Sequence, residues 1–369
     1  MKYVSIHSVN PGLDDGPGEA EIADELESDL VELGLATKRI AVAEPGRDNV
    51  IGYLPGAAGS PTVMFEAHLD TVGLSGSATS TARSDGRRVY GRGACDTKGS
   101  LVSMLEAVRL LLEIDTDDRP TIAMVGAIDE EYAGTGAEIL VNSGEHFDMA
   151  VVGEPTSLHA AIAHKGVLRF QIAVRGTPAH SSKPHLGVNA INGMASVLAR
   201  LEEVYAPSLR DIHHELVGSP TINVSTIRGG TAENVVPAEC VISIDRRVNP
   251  GEDHERILQD IDESLEPVRD EGIDVVVRQP TLKTAALDTP SDHPLVAAIS
   301  SARSQVVGSP AEPMGMTYGT DASFFGPAGI PSVIFGPGSI DQAHSDDEWV
   351  EIDEVARGAE ILVQAMIQL

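Results

Sequence analysis

The chain has 369 residues, of which 42% are hydrophobic and 22% charged, the balance of an ordinary soluble globular protein with room for two domains. Asp and Glu outnumber Lys and Arg by 56 to 26, and the net charge of −30 argues against nucleic acid or an anionic membrane as a partner. No run approaches the roughly 18 apolar residues of a membrane span, Met1–His7 lacks the apolar stretch of a signal peptide, and Cys95 and Cys240 sit in no paired-cysteine motif. A reduced cytoplasm is therefore expected and a disulfide is not.

Between Glu19 and Leu33, apolar Ile22, Leu26, Leu30 and Leu33 recur at helical spacing, and Gly34 supplies a stop. A strand is expected around Asn49–Leu54, then an apolar strand from Thr62 that ends at His68. Gly99–Glu113 reads as an amphipathic helix with Leu101, Met104, Leu105, Val108 and Leu112 on one face. Strand Thr121–Ile128 leads into Asp129-Glu130-Glu131, helix Gly136–Asn142 follows, and strand Met149–Val152 runs up to Glu154. This alternation predicts an α/β fold, a central mixed sheet flanked by helices, whose ligands gather beyond the carboxyl ends of the strands.

From about Gly166 the pattern changes. Strand Val167–Arg175, helix Val188–Val204, strands Thr221–Ile227 and Glu239–Arg246, helix Asp253–Leu265 and strand Ile273–Val277 give a β-α-β-β-α-β order, that of an inserted ferredoxin-like α+β domain. Helix Pro294–Val307, strand Ser332–Phe335 and helix Asp353–Gln368 then complete the first domain. The expected division is 1–165 and 282–369 for the catalytic domain, with 166–281 as the insert.

Short motifs stand at the ends of these elements. His68-Leu69-Asp70 pairs an imidazole with a carboxylate able to hold its other ring N–H. Asp96 lies in the loop Gly91-Arg92-Gly93-Ala94-Cys95-Asp96-Thr97-Lys98-Gly99, Glu154 in Gly153-Glu154-Pro155-Thr156, and His344 in a Gly/Pro loop after a strand. The adjacent carboxylates of Glu130 and Glu131 repel unless cations or protons offset them, so that one can ligate a metal while the other stays free as a general base. Each motif alone has an ordinary reading as a surface turn in an acidic protein. Together they form a mixed N/O ligand set suited to two divalent ions, Zn²⁺, Co²⁺ or Mn²⁺.

These residues resemble the acetylornithine deacetylase and succinyl-diaminopimelate desuccinylase family of dinuclear zinc metallopeptidases, which includes the aminoacylases, over nearly the whole chain from Ser8 to Trp349. The resemblance implies that Asp96 bridges two metals, His68 and Glu154 bind one, and Glu131 and His344 bind the other. Glu130 is then the general base and Asp70 the partner of His68, with a cis peptide after Asp96. The insert matches the family's lid and dimerisation domain, implying a homodimer. His180, in Gly176-Thr177-Pro178-Ala179-His180-Ser181-Ser182, is expected to reach the neighbouring subunit's site and stabilise the oxyanion. Asn234 is expected to hydrogen-bond the reacting region, and Arg246, in Asp245-Arg246-Arg247, to grip a substrate carboxylate. Gly319 and Thr320 fall in the family's substrate-recognition segment.

Gly153-Glu154-Pro155-Thr156-Ser157, His164-Lys165-Gly166 and Gln342-Ala343-His344 look most like acetylornithine deacetylases, which places the expected reaction, deacetylation of N-acetylornithine, in arginine biosynthesis. The loop Tyr318–Ser323 lacks the arginine of the desuccinylases. Alternatives are a desuccinylase, a dipeptidase or carboxypeptidase with the same site, or a catalytically dead binding protein. The last would need the loss of a ligand or of the base, and none is lost.

Overall fold

A computed structural model describes residues 1–43, 46–73, 81–115, 119–310 and 312–369. The chain forms two compact units: the first comprises 1–162, 288–315 and 320–369, and the second 163–287 with 316–319.

In the first unit, strands stand side by side in the order Ala36–Ala41, Asp48–Leu54, Thr121–Ala127, Thr62–His68, Met149–Val152 and Ser332–Ile334. The last four run parallel, so His68, Ala127, Val152 and Ile334 share one edge of the sheet. Parallel strands are covered on both faces, which is why they read as continuous apolar runs rather than alternating ones. In Thr62–His68 only Thr62 escapes full burial. Helix Lys98–Leu111 buries Leu101, Met104, Leu105, Val108 and Leu111. Helix Ile352–Ile367 approaches it closely: Ser103 Oγ donates to Val355 O at 3.0 Å, and a Cβ on Gly358 would stand 2.4 Å from Ser103 Oγ. Only glycine permits that approach. Among the described residues, no helix is long and apolar enough to cross a membrane.

The second unit is an antiparallel sheet ordered Thr221–Gly229, Glu239–Val248, Gly166–Arg175, Asp274–Val277. One face carries Leu168, Phe170, Ile172, Ile242 and Ile244 against Met194 and Val197 of helix Ala190–Arg200 and Ile257 and Ile261 of helix His254–Ser264. The helix expected over 188–204 starts at Ala190, because Asn189 Oδ1 accepts the N–H groups of Ile191 and Asn192. Its last turn, Leu201–Tyr205, is π-helical.

Candidate metal centre

Strand ends deliver most of the site. His68 closes its strand, Glu130 and Glu131 follow the strand ending at Ala127, and Glu154 stands two residues beyond Val152. Asp96 comes from the loop before helix Lys98–Leu111, and His344, at φ 59°, from the loop after Ser332–Ile334. His68 Nε2 lies 3.0 Å from Asp96 Oδ1 and 3.9 Å from Glu154 Oε1. His344 Nε2 lies 3.2 Å from Asp96 Oδ2 and 3.2 Å from Glu131 Oε2. Asp96 thus gives one oxygen to each of two donor groups, His68/Asp96/Glu154 and Asp96/Glu131/His344, and within each group the donor atoms fall within 4.8 Å of one another. The mixed imidazole and carboxylate donors and the shared aspartate fit a pair of divalent ions.

The supporting contacts differ from expectation at Asp70. His68 Nδ1 faces the backbone carbonyl of Asp70 at 3.1 Å, while the Asp70 carboxylate stands off at 3.6 Å, beyond hydrogen-bond reach. That carboxylate is claimed elsewhere. Oδ1 accepts the Glu130 N–H and Oδ2 the Glu131 N–H, each at 3.1 Å, and Oδ2 also accepts Asn10 Nδ2 at 2.7 Å. Asp70 therefore fixes the backbone on which Glu130 and Glu131 ride, and its main chain orients the His68 ring. Asn10 also donates to Asp129 Oδ1 at 2.9 Å, steadying a residue held at φ 72°. The peptide between Asp96 and Thr97 is cis, and Thr97 Oγ1 donates to Gly153 O at 2.6 Å, tying the Asp96 loop to the Glu154 strand.

Electrostatically the centre is short of positive charge. Burial, reinforced by neighbouring carboxylates, pushes Glu130 and Glu154 well above the usual carboxylate range and also raises Glu131. Burial acts on Asp96 in the same direction, but hydrogen bonds from His344 and His68 outweigh it and hold Asp96 low. Hydrogen bonding to Asp96 and Glu131 raises His344 to about 10. The Glu130 carboxylate makes no hydrogen bond among the described residues, which leaves it available to a reacting molecule.

Sequence reasoning missed several neighbours. Glu66 and Asp321 form a buried carboxyl pair beside the centre, in which Glu66, pushed by burial to about 8, and Asp321 each keep one oxygen without a hydrogen-bond partner. The signal for Glu66 was a charge inside an apolar strand. Glu348, 2% exposed, lies against the Asp96 loop and left no sequence signal.

The remaining candidates are placed as follows. Thr320 is buried in the first unit, where its Oγ1 accepts the Ala322 N–H, while Gly319 belongs to the second unit. Also in the second unit, His180 and Asn234 are exposed and lie on adjacent segments, with a bridge between His180 and Val235 and the Ser181 N–H donated to Asn234 O at 3.0 Å. Arg246 does not present a free guanidinium. Strand Glu239–Val248 turns Cys240, Ile242, Ile244, Arg246 and Val248 to its buried face, and there Arg246, 1% exposed, pairs with Glu252 at 2.5 Å. Its neighbour Arg247 lies on the other face, 29% exposed, with Nε donating to Asp245 Oδ1 at 2.8 Å.

The sequence matches the peptidase family M20/M25/M40 over residues 64–368. It is 33% identical to an acetylornithine deacetylase of Myxococcus xanthus over 316 residues, covering 84% of this chain and 80% of that protein. With an acetylornithine deacetylase of Vibrio campbellii it shares 29% identity over 99% of this chain and 95% of that one. Among solved structures it is similar to aminopeptidase PepT from Bacillus cereus, with a TM-score of 0.82 at 22% identity over 100% of this chain and 96% of that one. It also resembles YXEP from Bacillus subtilis, described as a dinuclear metal-binding peptidase, with a TM-score of 0.72 at 14% identity over 95% and 92% of the two chains. The fold is that of the M20 metallopeptidases, and the chain is a member of the M20/M25/M40 family, an amidohydrolase with a candidate centre for divalent metal.

Proposed function

We propose that this enzyme hydrolyses the amide of an N-acyl amino acid, with N-acetylornithine as the preferred substrate and Zn²⁺ as the resident metal. The observation that carries the reading is the division of Asp96 between His68 and His344, with the unengaged Glu130 beside them. Identity with acetylornithine deacetylases over most of the chain supports the choice of substrate.

His68, Asp96 and Glu154 would hold one ion, and Asp96, Glu131 and His344 the other. When bound, such a pair supplies Lewis acidity and a water acidified towards neutral pH. Glu130 takes a proton from the attacking water as its oxygen bonds to the amide carbon. As the C–N bond breaks, the same carboxyl delivers the proton to the departing amine. The second unit serves as lid and dimerisation domain, its exposed His180 reaching the neighbouring subunit's site to stabilise the oxyanion and Asn234 serving the reacting region. Arg247, exposed on its strand, rather than the buried Arg246, takes the substrate carboxylate.

The solved peptidase neighbours favour a second reading, a di- or tripeptidase using the same groups. Amine release from N-acetylornithine, N-succinyl-diaminopimelate and a small peptide panel separates the two. Preference for peptides would overturn the deacetylase reading. Glu130→Gln should lower kcat by about 10²–10⁴ with metal content unchanged, and retained turnover would remove Glu130 as the base.

A further inference from the structure

Glu348 accepts four hydrogen bonds from one short loop. Its Oε1 takes the N–H groups of Cys95 at 2.9 Å and Asp96 at 3.0 Å. Its Oε2 takes the Gly93 N–H at 3.0 Å and Arg92 Nη1 at 2.6 Å. Its backbone carbonyl accepts the Gly91 N–H at 3.0 Å. Arg92 Nη1 also donates to the carbonyl of Ser345, the residue after His344, at 3.3 Å. The segment that carries Asp96 is thus bound, residue by residue, to the segment that carries His344.

The two donor groups differ in what else holds them. His68 and Glu154 stand at strand ends, 2% and 4% exposed. The His344 side chain is 51% exposed and sits on a left-handed backbone, and its ring contacts are the acids it would share with an ion. The separation of Asp96 and His344 therefore depends on the link through Arg92 and Glu348 far more than the separation of Asp96 and His68 does.

We propose that Glu348, with Arg92, is a positioning clamp that sets the Asp96–His344 geometry and so governs occupancy of the outer ion position, Asp96/Glu131/His344, selectively over the inner one. The proposal rests on the two-ion reading above. Glu348→Gln keeps the shape of the side chain but turns an amide N–H₂ towards at least one of the donors that the carboxylate now accepts, so the loop must shift. Outer contacts of this kind typically alter metal affinity 10–100-fold.

The test is stepwise Zn²⁺ and Co²⁺ binding to chelator-stripped protein, followed by calorimetry and elemental analysis, with Co²⁺ absorption reporting each site. The wild type should bind two ions. Glu348→Gln should bind the first within about threefold of the wild-type affinity and the second at least 10-fold more weakly. Equal weakening of both ions, or two ions at wild-type affinity, overturns the clamp. A wild type that binds fewer than two ions sinks the two-ion reading instead, a distinct outcome. Should Glu348→Gln fail to fold, Arg92→Met, which removes the Nη1 that donates to both Ser345 O and Glu348 Oε2, is read by the same ratio of affinities. A purely structural role would lower stability without changing that ratio.

Discussion

His164 closes the strand Ala161–His164 in full burial. Its Nδ1 lies 3.0 Å from the Lys165 carbonyl, which can only accept, so the ring proton sits on Nδ1. Nε2 is then a lone pair in a site without a hydrogen-bond partner. Protonating it would add a charge and an unpaired donor to a buried site, and burial accordingly pushes this histidine down to about 4. The unfolded chain has the ordinary value of about 6.5. Below 6.5 the unfolded state takes up a proton that the folded state refuses, so stability is complete above that pH and is lost as pH falls towards 4. At about 1.36 kcal/mol per pH unit the loss is about 2 kcal/mol by pH 5 and about 3 kcal/mol by pH 4. His164→Leu removes the effect while keeping an apolar occupant. Hydrogen exchange of the strand Gly166–Arg175, corrected for intrinsic pH dependence and run on metal-free protein, reports the stability of the second unit itself. Between pH 7 and pH 5 the wild type should lose about 2 kcal/mol more than the variant. Parallel profiles, with a constant difference between the two proteins, would refute the reasoning.

Three other outcomes follow from particular contacts, and a fourth from the metal requirement. Arg246→Met leaves the Glu252 carboxylate without its buried partner and should destabilise the second unit by about 3 kcal/mol with little change in KM. Arg247→Ala should raise KM for carboxylate-bearing substrates with little loss of stability, and the opposite pattern in steady-state kinetics and urea unfolding would return the substrate role to Arg246. Asp70→Asn can offer only one oxygen where the carboxylate now accepts the Glu130, Glu131 and Asn10 donors, so kcat should fall about 10–100-fold in steady-state assays. Chelation should abolish turnover reversibly and lower the melting temperature, because an ion present at 100 times its Kd contributes about 2.7 kcal/mol to the folded state. Full activity in excess chelator, at a metal content below one ion per chain, would refute the metal requirement.

The sheet was legible wherever burial is two-sided. After their opening threonines, Thr121–Ala127 is a continuous apolar run and Thr62–His68 is interrupted only by Glu66 before its terminal histidine, because both faces are covered, and such runs end where the polar site begins. That is why His68, Glu130, Glu131 and Glu154 could be placed at strand ends before any contact was known. Ala36–Ala41 was not legible, because it is an edge strand with Thr37, Lys38 and Arg39 in a pattern without alternation. Glu348 was hidden for a different reason: its partners are mainly backbone N–H groups about 250 positions away, and a backbone donor leaves no mark on side-chain identity. Asn10 was hidden similarly, since one amide serving Asp70 and Asp129 looks like any turn asparagine.

The arginine pair differs, because the facing of its two members was present in the sequence. Cys240, Ile242 and Ile244 fix which face of the strand is buried, and the same two-residue period carries on to Arg246 and Val248. Arg246 therefore points inward and needs an internal counter-ion, which Glu252 provides six positions on. Arg247 points outward beside Asp245, where a free carboxylate could be met. Motif likeness identified the segment, but the period of the strand decides which of two adjacent arginines is buried and which is exposed. Where a motif contains neighbouring residues of one type on a strand, the apolar residues at i−2 and i−4 decide which of them is available for function.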